Sequence, residues 1–225
     1  GTTGRPKGVI QNHRNLLHHI RAYTNGLHLG PQDRLALLAS YSFDAAVMDI
    51  YGALLNGATL CLYDIRREGL PGLPRWLTGQ RITIYHSTPT VFRQVFDDPQ
   101  GNAACLGSST LRMVVLGGEE VRAADRDLFA AASPPDCLLV NGLGPTESTL
   151  ALQWLLDRHA PVDGRTVPVG YPVEDTTVRV LNESGVEVDV YGVGRIVIES
   201  RYLALGYWRR PAASRTRRGP VRCTP

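Results

Sequence analysis

The stretch LRMVVLGGEE, residues 111–120, decides the fold. Its first seven residues form an apolar run without polar alternation, which suits a strand covered on both faces. Two glycines and two glutamates follow at once. In an open parallel sheet, ligands bind beyond the carboxyl ends of the strands. The same pairing of an apolar run with a polar or glycine-rich tail recurs along the chain. RLALLAS (34–40) precedes YSFD (41–44), and ITIYHS (82–87) ends in His86 and Ser87 before Thr88. CLLVNG (137–142) opens into NGLGPTES (141–148), and ATLCLY (58–63) completes the set.

These runs begin 24 to 29 residues apart. Helix-like segments lie between them, so βαβ units and a parallel sheet are expected, with right-handed connections. In SFDAAVMDIYGALLNG (42–57), Phe43, Val47, Ile50, Tyr51 and Leu54 fall on one helical stripe, with Ser42 as N-cap and Gly57 as stop. STPTVFRQVF predicts a helix capped by Thr88 with Pro89 in its first turn. HRNLLHHIRAY and RAADRDLFAAA (122–132) predict two more.

Beyond Gly144 the pattern changes. LALQWLL (150–156), TTVRVLN (176–182), GVEVDV (185–190) and GRIVIES (194–200) are short runs between Pro and Gly turns. They predict a smaller antiparallel, barrel-like portion. The expected division is an α/β core over 1–155, a β-rich part over 156–208 and an unstructured tail over 209–225. That tail has no apolar periodicity.

Of the 225 residues, 43% are apolar and 20% charged, as in a globular protein. No apolar run reaches the 18 residues of a membrane span. The net charge of +3 is carried by the tail, where Arg209, Arg210, Arg215, Arg217, Arg218 and Arg222 face no acid. Removing those six from the 24 basic residues leaves 18 against 21 acidic ones, a net of −3. A nucleic-acid-binding face is therefore not indicated. The four cysteines show no CxxC spacing, and Cys61 and Cys137 lie in apolar runs, so buried free thiols of a reducing cytoplasm are expected.

Lys7 is the only lysine among the 24 basic residues. It lies in GTTGRPKG (1–8), where Gly1, Gly4 and Gly8 free the backbone to turn toward an anion. Thr2 and Thr3 add hydroxyl donors. Pro6 before the lysine and Gly8 after it exclude a Walker loop. An ordinary turn is the alternative. Thr146 and Glu147 supply a hydroxyl beside a carboxylate, suited to Mg²⁺ between phosphates or simply to a turn. Asp44 is either an acid favoured by a helix dipole or the partner of a ligand ammonium. His86 is either a half-buried structural histidine or a site residue.

Taken together, GTTGRPKG, SFDAAVMDIYGALLNGATL, NGLGPTES and GVGRIVIESRYLALGYW resemble the motifs of adenylate-forming enzymes, and among them the adenylation domains of nonribosomal peptide synthetases. The resemblance covers about residues 1–211. It implies an incomplete large domain that joins an amino acid to ATP as an aminoacyl-adenylate. The acyl group then passes to the phosphopantetheine thiol of a peptidyl carrier domain, beside a condensation domain. On this resemblance Lys7, Thr146 and Glu147 are catalytic, with Mg²⁺ on Glu147. Thr2, Thr3, Gly4 and Lys7 hold the ATP phosphates, and Gly118, Glu119, Asn141, Gly142 and Leu143 border its adenine. Asp44 pairs with the substrate ammonium. Ala45, Met48, His86, Val115, Gly117, Gly142, Leu150 and Ala151 line a pocket for a neutral, bulky side chain.

Departures accompany the match. Leu143 replaces the family's usual tyrosine and Arg195 its usual glutamate. No YRTGD-type segment follows, and a second lysine, which the family uses for adenylation, is missing. The chain is thus expected to be a segment of a longer enzyme and inactive alone. The alternatives are an acyl-CoA or fatty-acid adenylate ligase, and a silent nucleotide-binding fragment.

Overall fold

The computed structural model describes residues 7–97, 101–210 and 221–223. Along the chain run β1 (Val9–Ile10), α1 (His13–Leu27), β2 (Arg34–Leu37), α2 (Ala45–Leu55) and β3 (Thr59–Leu62). Next come α3 (Ile65–Glu68), α4 (Leu73–Gly79), β4 (Ile84–Ser87), α5 (Pro89–Phe96), a 3₁₀ turn over Asn102–Ser108 and β5 (Met113–Gly117). Then follow α6 (Ala123–Ala132), β6 (Leu138–Leu143), β7 (Leu152–Leu156) and β8 (Tyr171–Pro172). The last strands are β9 (Thr177–Leu181), β10 (Arg195–Glu199), β11 (Gly206–Tyr207) and β12 (Val221–Cys223).

The main sheet has seven strands in the order β3-β2-β4-β5-β6-β7-β8. β2 to β6 run parallel, with all five where the apolar runs predict them. β7 joins antiparallel to β6, with Gly142 opposite Gln153. LALQWLL is antiparallel, as its pattern predicts, and it extends the main sheet by pairing with Leu139–Leu143 of β6. GVEVDV forms no strand and contributes one isolated bridge, Leu181 to Glu187. Val221–Cys223, expected within the tail, pairs antiparallel with Ile196–Ile198.

The residues gather into two compact units that interleave along the chain. The sheet unit comprises Tyr23–Leu143 and Leu152–Tyr171. The composite unit comprises the described residues up to Ala22, Gly144–Ala151 and those from Pro172 onward. Within the composite unit β1 pairs antiparallel with β11, Val9 opposite Tyr207 and Ile10 opposite Gly206.

In the sheet unit the apolar core includes Leu73, Leu77, Tyr85, Phe92, Phe96, Leu106, Val114, Leu116, Phe129 and Leu139. The Phe92 and Phe96 ring centres are 4.4 Å apart with the planes tilted by 34°, and Tyr85 meets Phe96 edge-on. α5 begins as predicted: Thr88 Oγ1 accepts from the Val91 amide, and Pro89 fills the first turn. α2 departs from its predicted form. It starts at Ala45 with Asp44, not Ser42, at the cap position. Its buried face is Ala46, Asp49, Gly52 and Ala53, whereas Phe43, Tyr51 and Leu54 are exposed. Small residues let this helix approach closely; a Cβ on Gly52 would already touch Leu29 and Tyr23 at 3.4 Å. Gly57 ends the helix at φ +67°, as its position predicts. In the composite unit Ala151 and Ile198 are fully buried, with Val178, Ile196 and Leu203 against them.

Candidate active site

Four strand ends of the sheet unit carry the polar tails read from the sequence. After β2, Asp44 takes helical angles (φ −65°, ψ −22°), and its side chain accepts no cap hydrogen bond. Its backbone carbonyl, not its carboxylate, receives the Val47 amide. The carboxylate is exposed and uncommitted to the helix. Ala45 and Met48 follow on α2, both half-buried.

At the end of β4, His86 is 5% exposed and Asp49 wholly buried. His86 Nδ1 lies 3.0 and 3.1 Å from the two oxygens of Asp49. Burial disfavours charge on His86, but the Asp49 carboxylate outweighs it and Asp44 adds to it, so the imidazole is raised above its ordinary value. Burial also raises Asp49, with His86 opposing. Sequence reading did not single out Asp49. Its signal was available: it is the one charged residue in AAVMDIYGALL.

After β5, Gly118 has φ +81°, a turn only glycine takes without strain. A Cβ on Gly117 would press the Gly142 carbonyl at 3.3 Å. Val115, paired with His86 across the sheet, is buried. The Glu119 carboxylate accepts from the Thr90 amide at 3.0 Å and its hydroxyl at 2.6 Å. It therefore caps α5, a structural task beside the expected nucleotide contact. Within β6, Asn141 is buried, and its amide nitrogen donates to the Val167 and Pro168 carbonyls at 3.0 and 2.9 Å. That amide is committed to holding the chain at 167–168. Gly142 and Leu143 are half-buried in the pairing with β7.

Thr2, Thr3 and Gly4 lie outside the described residues. In the composite unit the Lys7 ammonium stands 5.2 Å from the centre of the Tyr207 ring, a cation–π distance. No ion pair holds Lys7 among the described residues. The Tyr207 hydroxyl donates to Glu147 Oε1. The Ala204 amide fixes the Glu147 carbonyl at 2.8 Å. Lys7, Tyr207 and Glu147 thus form one cluster, and Tyr207 is a member that the sequence reading did not identify. Thr146 is exposed, and its carbonyl accepts from Gln11 Nε2 at 2.9 Å. Gly144 is indispensable to this turn: a Cβ would stand 1.6 Å from the Thr149 carbonyl oxygen. Leu150 is half-buried, and Ala151 belongs to the core of its unit.

This cluster fits a magnesium phosphate group. Mg²⁺ needs few protein ligands when phosphates supply the rest, and Glu147 offers one carboxylate, held by Tyr207. No group of three metal-ligating side chains exists among the described residues. An ammonium resting on a ring face rather than on a carboxylate is available to an anion.

Residues 1–208 match a protein family described as AMP-binding enzyme. The chain is 31% identical over 216 residues to tyrocidine synthase 3 of Brevibacillus parabrevis, covering 94% of this chain and 3% of that protein. It is 35% identical over 220 residues to surfactin synthase subunit 1 of Bacillus subtilis (strain 168), covering 94% and 6%. Among solved structures, CmiS6 superposes with a TM-score of 0.85 at 30% identity, over 95% of this chain and 51% of that one. The nonribosomal peptide synthetase FmoA3 superposes at 0.84 with 25% identity, over 98% and 24%. The chain therefore spans a few per cent of the two synthases' length and about half of CmiS6.

Proposed function

The chain belongs to the AMP-binding enzyme family, and on that premise we propose that it is the amino-acid-activating part of a nonribosomal peptide synthetase. An amino acid and ATP give aminoacyl-adenylate and pyrophosphate. The acyl group then moves to the phosphopantetheine thiol of a carrier domain, whose neighbour is a condensation domain. Lys7, with Thr2, Thr3 and Gly4, balances the charge of the β,γ-phosphates, and Thr146 donates to the α-phosphate. Glu147 would hold Mg²⁺, which would supply positive charge against the phosphates. Tyr207 orients the Glu147 carboxylate through its hydrogen bond. Gly117 and Gly118 give a flat ring room beside the backbone, with Leu143 offering aliphatic contact. The substrate's own carboxylate is the nucleophile, so these residues work by positioning and by stabilising charge.

The observation that carries the amino-acid reading is Asp44, a carboxylate at a helix start that caps nothing. It meets the substrate ammonium, a role with no purpose in a fatty-acid ligase. Ala45, Met48, Val115, Gly117 and Leu150 add no charge, so the side chain selected is neutral. For these 225 residues alone, the solitary lysine favours nucleotide binding without appreciable turnover.

The test is ATP–pyrophosphate exchange by the intact parent synthetase over a panel of amino acids. Exchange dependent on a neutral amino acid is expected, and Asp44→Ala lowers its kcat/KM on the order of 100-fold, the scale of one hydrogen bond to a charged group. A preference for lysine or glutamate refutes the neutral pocket. Exchange driven by fatty acids and indifferent to Asp44 refutes amino-acid activation.

A further inference from the structure

The parallel strands lie in the order β3-β2-β4-β5-β6, so chain order reverses between β2 and β4. In an open α/β sheet the ligand crevice lies at such a reversal, outside the strands' carboxyl ends. The pair Asp49–His86 spans this point. His86 is next to last in β4, and Asp49 is on α2, the helix that follows β2. The core interior needs no such pair; a leucine and a phenylalanine would fill the space without desolvating two ionisable groups.

The protonation of the pair follows from its burial. A net charge enclosed in protein is costly, so the pair is held neutral overall. Two neutral forms exist: carboxylate with imidazolium, or carboxylic acid with imidazole. In both, Nδ1 faces Asp49 and Nε2 carries a hydrogen. Only the anionic form, with Nδ1–H donating to carboxylate, bares Nε2 as an acceptor. The surroundings oppose that form. Asp44 favours a protonated His86, and Tyr23, which feels the Asp49 charge, is fully buried with its phenol held far above its ordinary value by desolvation first and by Asp49 second. No described residue hydrogen-bonds Nε2, and Nε2 is not among the fully enclosed nitrogens. Val115 beside it is apolar, and Gly117 contributes no side chain.

We infer that Asp49 is a positioning residue that keeps a proton on His86 Nε2, so that the crevice offers one hydrogen-bond donor and selects an amino acid whose uncharged side chain carries a hydrogen-bond acceptor. This rests on the amino-acid-activation reading above and narrows it. Asp44 repels an anionic acceptor, and a purely aliphatic side chain leaves the Nε2 donor unmet.

The experiment is pyrophosphate exchange by the intact synthetase with shape-matched pairs: threonine and valine, tyrosine and phenylalanine, asparagine and leucine, glutamine and methionine. The acceptor-bearing member of the best-used pair is expected to lead in kcat/KM by about 10-fold or more, the scale of one buried donor left without a partner. Asp49→Asn keeps the shape but removes the charge that holds the proton. It is expected to lower the pH at which the His86 ¹⁵N signals titrate. In the unmodified protein at pH 7, those signals are expected to show a protonated Nε2. No lead for the acceptor-bearing members, or an unprotonated Nε2, overturns the inference while amino-acid activation stands. A folded Asp49→Asn protein with unchanged titration overturns the role of Asp49. Absence of exchange with every amino acid overturns the activation reading, and this inference with it. Should Asp49→Asn fail to fold, the wild-type panel and spectrum decide.

Discussion

At the scale of single residues, charge placement was legible where it was unusual in composition and hidden where it depended on a distant partner. Lys7 stood out as a lone lysine, and it rests on the Tyr207 ring, with no ion pair to it among the described residues. Asp49 was hidden, because its partner His86 lies 37 residues away. Asp33 was hidden for the same reason. It is buried, and it receives Arg112 Nε and Nη2 at 2.8 Å each, the Thr83 hydroxyl at 2.8 Å and the Gly30 amide at 3.0 Å. Burial pushes its carboxyl up, but these donors outweigh burial and hold it below the ordinary value. A depressed carboxyl contributes stability that is present above its unfolded value of about 3.9 and is lost as pH falls through the folded one. Denaturant midpoints should therefore drop below about pH 4, and Asp33→Ala should remove that part of the drop. The substitution should also cost about 3 kcal/mol at neutral pH, since it strands a guanidinium. An Asp33→Ala protein as stable as the parent in urea would refute this.

At the scale of elements, the five parallel strands were readable because both of their faces are covered, which forces continuous apolar runs. Two-residue strands such as β1 and β11 leave no such signal, since two residues cannot show a period. The stripe on α2 misled for a different reason. Its large apolar residues are on the open face, and its buried face is made of Ala46, Asp49, Gly52 and Ala53. A helix packed closely on a sheet needs small residues at the contact, so hydrophobicity alone pointed to the wrong side. Cap reading failed at α2, where Asp44 rather than Ser42 takes the cap position, and succeeded at α5. Thr88 and Pro89 open α5 as read, and Glu119 reinforces the same turn from outside the helix. Thr88→Ala should cost about 1 kcal/mol in a reversible urea melt. No loss would show that Glu119 alone satisfies the turn.

At the scale of the whole molecule, composition and strand-end loops pointed to the α/β class. They could not show that the two compact units interleave, because pairing between remote segments leaves no local trace. Phe43, Tyr51, Leu54 and Leu55 on or beside α2, and Leu62 on the edge strand β3, are exposed. Exposed apolar side chains next to an unpaired strand edge invite association. The 225-residue chain should therefore associate with rising concentration in light scattering, and a double variant, Leu54→Glu with Leu62→Glu, should stay monomeric at the same load. Equal behaviour of the two proteins would refute this. The pairing of Val9 with Tyr207 has a consequence in time. A ribosome adds about 5 to 20 residues per second. The first strand of the composite unit thus waits some 10 to 40 seconds for its partner to be made, while every strand of the parallel sheet has already emerged. The order of synthesis makes the sheet unit the scaffold and the Lys7 segment the last part to settle.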